Sequence, residues 1–274
     1  MDNAGIRHIA SRNDLFQILF SLKTNRKKRA EHGELFVEGI EPIKQAIRGN
    51  WTVRRILSTD FERLSHWAQT LMRTQPQAER IQLAEPLYQE LSDKGDPSEI
   101  MATVEMKRMR PDDVRLPDNP LILIFDRPSD QGNLGTLIRS ANALGVDMVA
   151  IGGHGADPFD PKTIRASLGA VFHTPVVMIE SAEKLESWLN TLKDGCGLQV
   201  VGTDSEGDCT LADSGIKRPI ALILGNEAKG MSVRLKQYAD RIVSIPLCGE
   251  VDSLNVACAG SICLWQIQAN SRQK

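Results

Sequence analysis

A C-x-x-C pair is missing from this chain, and so is any cluster of histidine with cysteine, which leaves metal hydrolysis and zinc-centred folds without support. The five cysteines, Cys196, Cys209, Cys248, Cys258 and Cys263, are odd in number and confined to the C-terminal third. They read as small packing residues in a reducing compartment. The start, MDNAGIRHIASRNDLF, has no apolar core of signal-peptide length, which argues against export and for a cytoplasmic protein. The one long uncharged stretch, 253–271, carries Asn255, Ser261, Gln266, Gln268 and Asn270, each costly in hydrocarbon, so it predicts a buried helix and no membrane span. No G-x-G-x-x-G follows the first long strand: Gly132 and Gly135 supply only G-x-x-G, and a dinucleotide site is unsupported. ILGNEAKGMS (223–232) comes close to a phosphate-binding loop, but Met231 stands where the lysine belongs and Glu227 puts a negative charge inside the loop. That combination points away from a nucleotide phosphate as the ligand.

What is present is an ordinary globular composition, 41% apolar and 25% charged over 274 residues, for which two domains are expected. The net charge of −2 conceals an asymmetry: residues 1–58 hold 11 Lys and Arg against 6 Asp and Glu. Five of those cations fall in KTNRKKR (Lys23, Arg26, Lys27, Lys28, Arg29) with no acid among them. The run reads either as a solvated helix end or as a patch that contacts phosphates.

Periodicity divides the chain. Residues 5–107 mix helical and extended signals: a helix near 13–22, a strand at LFVEG, an amphipathic helix IEPIKQAIRG closed by Gly49, then extended runs VRRILS, ERIQLA and SEIMATVEM. This predicts a small α/β domain. Residues 108–119, rich in charge and proline, read as a linker. From 120 to 272, near-continuous apolar strands alternate with helices, beginning LILIFD then NLGTLIRSANALG, and ending RIVSIPL then LNVACAGSICLWQI. That order predicts an α/β fold with a mostly parallel sheet covered on both faces, and places ligands beyond the carboxyl ends of the strands.

Three loops of that kind hold unusual polar residues. In DRPSDQGNLGTLIRSANALG, Asn133 lies at a helix entrance, where it could equally be a cap, and Arg139 follows among Leu137, Ile138, Ala141 and Leu144. An arginine beside an apolar helix face needs an anionic partner. The second loop carries Glu227 between Asn226 and Gly230. In IPLCGEVDSLNVACAG, Ser253 and Asn255 are expected to cap a helix so dense in small residues that another backbone approaches it closely, although such a helix can also be plain core.

Taken in order, NLGTLIRSANALG, LGNEAKGM and IPLCGEVDSLNVA closely resemble motifs 1, 2 and 3 of the SpoU (TrmH) family of RNA ribose methyltransferases, in the knotted SPOUT superfamily. KTIRASLGAVFHTPV resembles the family's segment between motifs 1 and 2, and RKKRAEHGELFVEGIEPIKQAI its L30e-like substrate-binding domain. The resemblance covers nearly the whole chain, with Leu247 replacing a common methionine and Ala257 a common serine. It implies a C-terminal trefoil knot that binds S-adenosyl-L-methionine (AdoMet), with Gly225, Ile245 and Leu254 at the cofactor contacts and Thr203 and Leu224 beside them. It also implies a homodimer through the catalytic domain. Arg139 is the implied group at the ribose 2′-hydroxyl, helped by Asn133, Glu227, Ser253 and Asn255. Because guanidinium stays protonated, Arg139 is either a base in name only or the group that holds a neighbouring phosphate and orients the hydroxyl. Arg26, Lys27, Lys28, Arg29 and Arg165 are the candidate RNA contacts. Ribosomal RNA is the expected substrate; a tRNA substrate, or a non-catalytic RNA-binding role in ribosome assembly, are the alternatives.

Overall fold

The computed structural model describes residues 5–272. By internal packing the chain forms two units, one of residues up to 107 with 159–173, the other of 108–158 with those from 174 onward.

The first unit runs β1 (Ile6–Ile9), α1 (Asp14–Thr24), α2 (Arg26–His32), β2 (Glu34–Glu38), α3 (Ile40–Arg48), β3 (Val53–Ser58), α4 (His66–Thr74), β4 (Glu79–Leu83), α5 (Glu85–Leu91) and β5 (Met101–Glu105). Its sheet has the order β1-β4-β3-β5-β2, parallel except where β5 meets β3 and β2. Helix α1 starts where the Asn13 side chain accepts the Phe16 N–H, and it buries Leu15, Phe16, Leu19 and Leu22, a stripe at helical spacing. Beside α1 the basic run forms a helix of its own, because Asn25 ends one helix and caps the next through the Lys27 and Lys28 N–H groups.

Residues 159–173 complete this unit, although they lie between β7 and β8 of the other in chain order. The Trp51 indole N–H donates to the Phe172 carbonyl at 2.9 Å, and its ring stands edge-on to Phe172 at 5.0 Å and tilted to Phe159 at 6.0 Å. A side chain on Gly49 would meet the same Phe172 carbonyl at 2.5 Å, which is why α3 closes on glycine there.

The second unit continues β6 (Leu121–Asp126), α6 (Gln131–Ala143), β7 (Met148–Gly152), then, after α7 (Pro161–Ala166) of the first unit, β8 (Val176–Ile179), α8 (Ala182–Cys196), β9 (Gln199–Thr203), β10 (Cys209–Thr210), β11 (Ile220–Leu224), α9 (Val233–Tyr238), β12 (Arg241–Ser244) and α10 (Val256–Arg272). Its seven-stranded sheet has the order β10-β12-β9-β11-β6-β7-β8, and all of its pairings are parallel. Strands β6, β7 and β11 are buried along their whole length, the signature of a sheet covered on both faces. The chain builds β6, β7 and β8 outward in one direction, then returns past β6 to place β9, and later fits β11 between β9 and β6. The loops that leave β6 and β11 are therefore neighbours at the carboxyl edge of the sheet, with Leu224 paired to Phe125.

Helix α10 buries Ala257, Gly260, Cys263, Leu264 and Ile267. A β-carbon on Gly260 would strike Leu224 and Leu137 at 2.5 and 2.6 Å, so what approaches this helix closely at Gly260 is a pair of leucine side chains and not the other backbone expected from its small residues. The packing role expected of the cysteines holds for Cys263, whose thiol pKa is pushed up to about 12 by burial, but Cys248 and Cys258 are exposed. Among the described residues no helix is long and apolar enough to cross a membrane.

Candidate functional site

The edge formed by β12, β9, β11 and β6 assembles the polar loops. At the end of β6 the Asp126 carboxylate is buried at 4% exposure. The Arg127 guanidinium grips it at 3.0 and 2.9 Å, and the Ser232 N–H donates to it at 2.8 Å. Arg127 reaches back from a left-handed backbone (φ 53°), a conformation that costs a non-glycine residue about 1 kcal/mol. Its own carbonyl accepts the Asn226 side-chain amide at 2.6 Å. Asp126 and Arg127 thus hold both ends of the 225–232 loop.

Inside that loop most of the backbone N–H groups are already committed. Asn226 and Gly230 exchange both backbone bonds at 3.0 and 2.9 Å, and the Asn226 side-chain oxygen accepts from Ala228 and Lys229, each at 3.0 Å. Gly225 is required by contact: a β-carbon would lie 2.2 Å from the Met231 nitrogen. Met231, at the P-loop lysine position, is buried and lies against Gly202 of β9. A phosphate would find no lysine at the P-loop position, and the N–H groups of Asn226, Ala228, Lys229, Gly230 and Ser232 are taken.

Glu227 fastens the two loops together. Its carboxylate accepts the Ser129 N–H at 2.9 Å, the Ser129 hydroxyl at 2.7 Å, the Asp130 N–H at 3.1 Å and the Asn133 side-chain amide at 3.4 Å. Burial works to raise its pKa, but the Ser129 hydroxyl and the surrounding backbone donors outweigh it and hold the group below the usual glutamate range. The carboxylate form is therefore favoured by folding. The latch is in place above the ordinary glutamate pKa and is lost as pH falls through the lowered one.

Asn133 continues the chain of bonds, its side-chain oxygen accepting from the Asn255 amide at 2.8 Å. Sequence alone leaves Asn133 open as a helix cap. The cap is Asp130, which accepts the Asn133 N–H at 2.7 Å, so the Asn133 side chain is free for Glu227 and Asn255. Asn255 caps α10 through the Ala257 and Cys258 N–H groups. Ser253, expected to share that task, is exposed and makes no hydrogen bond to the described residues.

Arg139 is exposed and has no hydrogen-bond or ion-pair partner among the described residues. It lies about 9 Å along α6 from Asn133 and is turned by about 120° from it, so the two side chains do not share a face. The candidate cofactor residues gather at the strand ends. Thr203 ends β9, its hydroxyl donating to the Ile223 carbonyl at 3.2 Å; Leu224 and Gly225 end β11; Ile245 follows β12. Leu224 is 1% exposed and can offer a ligand only its backbone, whereas Leu254 is open at 37%.

The candidate RNA residues, all in the first unit, separate into two groups. Arg26, Lys27 and Lys28 are exposed on α2. Arg29 is not a surface cation: it is 1% exposed, donates to the Leu22 and Lys23 carbonyls at 2.9 and 3.2 Å, and pairs with Asp160 at 3.3 Å. Arg165 is half-buried between Glu38 and Asp93, each at 3.6 Å.

Asp126, Arg127, Ser129 and Asp130 carry no mark of a site in the sequence; the only cue is the polar run DRPSD at a strand end. Replacing Arg127 by alanine keeps the backbone carbonyl that holds Asn226 but removes the guanidinium that fixes the Asp126 carboxylate and reaches the Gly230 carbonyl at 3.4 Å, so the loop is expected to loosen at its Ser232 end. Amide hydrogen exchange over 225–232 is expected to rise about tenfold or more, with strand amides of β6 and β11 little changed; equal protection in the variant would deny Arg127 this role.

Comparison with known proteins agrees with this architecture. The profile of the SpoU rRNA Methylase family matches residues 120–265, and that of the SpoU L30e-like domain matches 13–102. The chain is 39% identical to a 23S rRNA (uridine(2479)-2′-O)-methyltransferase of Streptomyces viridochromogenes, over 95% of this chain and 91% of that one. It is 30% identical to the 23S rRNA (guanosine(2553)-2′-O)-methyltransferase RlmP of Bacillus subtilis, over 89% and 92%. The crystal structure of the SpoU methyltransferase AviRb from Streptomyces viridochromogenes, in complex with the cofactor AdoMet, superposes with a TM-score of 0.89 at 38% identity, covering 94% of this chain and 98% of that one. With matched motifs, matched domains and a matched fold along nearly its full length, the chain belongs to the SpoU rRNA Methylase family.

Proposed function

We infer that this protein transfers a methyl group from AdoMet to a ribose 2′-hydroxyl of ribosomal RNA. The observation that carries the reading is the 225–232 loop, where Asn226 takes the Ala228 and Lys229 N–H groups, Asp126 takes that of Ser232, Met231 stands at the P-loop lysine position and Glu227 adds a carboxylate. Such a site repels a triphosphate and suits a ligand that carries a positive sulfonium and is held by backbone at strand ends. Bound AdoMet supplies an electrophilic methyl, which passes to the ribose oxygen as the C–S bond breaks and the hydroxyl proton leaves to a phosphate oxygen or water. Both relatives named above methylate 23S rRNA, which favours ribosomal over transfer RNA.

Thr203, Leu224, Gly225, Ile245 and Leu254 are the residues we assign to the cofactor, around the knotted crossing that the family resemblance implies. Glu227 is fully engaged as an acceptor and serves to position Asn133 and Asn255, not to take the proton. Arg139, charged and unpartnered, holds the RNA phosphate next to the target ribose and orients the hydroxyl; Ser253 lines the open rim. Proximity of a well-oriented hydroxyl and methyl can provide about 7 to 11 kcal/mol of the barrier, so positioning is the main work. A homodimer through the catalytic unit is supported by Ile262 and Trp265, large apolar side chains 41% and 61% exposed about one turn apart on α10, which a partner surface would cover. A cytoplasmic location accords with a ribosomal RNA substrate. The test is calorimetry with AdoMet and with ATP: AdoMet is expected to bind and ATP to bind far more weakly, and tight ATP binding without AdoMet binding would remove the central claim.

A further inference from the structure

The cations around α2 and α7 form two layers. In the inner layer Lys23, Arg29 and Arg165 face Glu38, Asp93 and Asp160: Lys23 meets Asp93 at 3.0 Å, Arg29 meets Asp160 at 3.3 Å, and Arg165 meets Glu38 and Asp93 at 3.6 Å. Three cations against three acids leave this layer balanced, and its cationic side chains are only 2 to 31% exposed. For Asp93, burial opposes ionisation, but the Lys23 hydrogen bond and charge, then the fields of Arg165 and Lys162, hold its pKa below the usual range, so the balance persists at neutral pH. An inner pair of this kind fixes two elements together and offers nothing to a polyanion.

The outer layer differs. Arg26, Lys27, Lys28 and Lys162 are exposed, and the acid among them is Glu31, paired to Lys28 at 2.9 Å and more loosely to Lys27 at 4.0 Å. The Lys162 ammonium makes no hydrogen bond or ion pair with the described residues, although its charge is felt at Asp93. Its place is fixed by Asp160, which accepts the Lys162 N–H at 3.0 Å with one carboxylate oxygen while the other meets Arg29. On α2, Arg26 sits one turn before Arg29 on the same face. Lys162 and Arg26 therefore lie within about one helical turn of the two ends of the Arg29–Asp160 salt bridge.

We propose that Arg26, Lys27 and Lys28 of α2 and Lys162 of α7 form one surface for the RNA phosphate backbone, while Arg29 and Arg165 are its salt-bridged support. The proposal rests on the RNA methyltransferase reading and assigns its contacts. Lys162 belongs, in chain order, to the segment between the first and second motifs, so the RNA-binding unit borrows part of its contact surface from the methylase sequence. The phosphate backbone is the fitting partner because lysine ammoniums bind it as point charges without reading sequence.

The experiment measures binding of protein-free 23S rRNA by the full-length protein from about 50 to about 300 mM salt. Each lysine–phosphate pairing removed lowers the log–log salt slope by roughly 0.7 to 0.9. Lys162→Ala is expected to lower the slope by about one such step, the Lys27→Ala/Lys28→Ala pair by about two, and the triple variant by the sum, with Lys162→Arg restoring the wild-type slope. Circular dichroism and AdoMet calorimetry should be unchanged in all of them, since these side chains carry no structural bond beyond the Glu31 pairs. A Lys162→Ala protein with wild-type affinity and slope, beside an α2 pair that is weakened, would exclude α7 from the surface. A wild-type protein that binds AdoMet but no 23S rRNA would overturn both this proposal and the substrate reading, and is recognised before any variant is made.

Discussion

Replacing Arg139 by alanine is expected to abolish methyl transfer while folding and AdoMet binding stay nearly intact. The side chain is exposed and bonded to no described residue, so its removal leaves no buried partner unsatisfied and opens no cavity. Its effect must then fall on the step in which the RNA is held, which places the loss in kcat rather than in cofactor affinity. Removal of one preorganised charged donor costs about 2 to 4 kcal/mol, roughly 30- to 900-fold in rate. Arg139→Lys separates the two ways in which the residue could act. Lysine keeps the charge and can release a proton when buried, but it lacks the planar fork that grips a phosphate at two points. If the fork positions the phosphate, the lysine variant is nearly as slow as the alanine variant; if charge or proton transfer suffices, it recovers most of the rate. Single-turnover kinetics at saturating RNA and AdoMet read the difference, and a folded Arg139→Ala protein with wild-type turnover would end the assignment.

Gly225→Ala is expected to weaken AdoMet binding by roughly 10- to 100-fold, equivalent to about 1.4 to 2.8 kcal/mol. The added β-carbon would lie 2.2 Å from the Met231 nitrogen and 2.4 Å from the Gly230 carbonyl carbon. Both are backbone atoms and cannot rotate aside, so the loop must shift and break the paired Asn226–Gly230 bonds. Overpacking of this kind costs about 1 to 3 kcal/mol of stability, which lowers Tm by about 3 to 10 °C in a protein of this size. Gly230→Ala is the internal control. Nothing lies within 4 Å of its β-carbon position, and the penalty is confined to its left-handed backbone (φ 65°), about 1 kcal/mol. Calorimetry and thermal melts of the two variants test the loop geometry; equal effects would mean that contact at Gly225 is not what shapes the site.

Much of this was legible without coordinates. The strand–helix alternation from β6 onward follows from apolar runs too continuous for a half-exposed sheet, and β6, β7 and β11 are indeed buried throughout. The missing lysine and the acid at Glu227 excluded a phosphate from the second loop, because a charge of the wrong sign is a local property. The residues of the three polar loops carried the resemblance to the SpoU family, which the matched family profiles bear out. Tertiary structure decided which atoms meet. Glu227 finds Ser129 and Asp130 nearly a hundred residues earlier in the chain, a pairing that exists only because β11 inserts beside β6. Asp130 and Asn133 are both good caps by residue type, and only the path of the chain out of β6 gives the cap to Asp130 and frees Asn133 for Asn255. Within KTNRKKR all cations look alike, yet the packing of α2 buries Arg29 against Asp160 and leaves Lys27 and Lys28 in water. Residues 159–173 pack with the first unit because Trp51, Glu38 and Asp93 there offer the ring, the carboxylates and the donor that Phe172 and Arg165 match. Propensity and pattern are summed over neighbours in sequence, whereas a hydrogen bond or a salt bridge is chosen by neighbours in space, and for this chain the second set is drawn from up to 131 residues away.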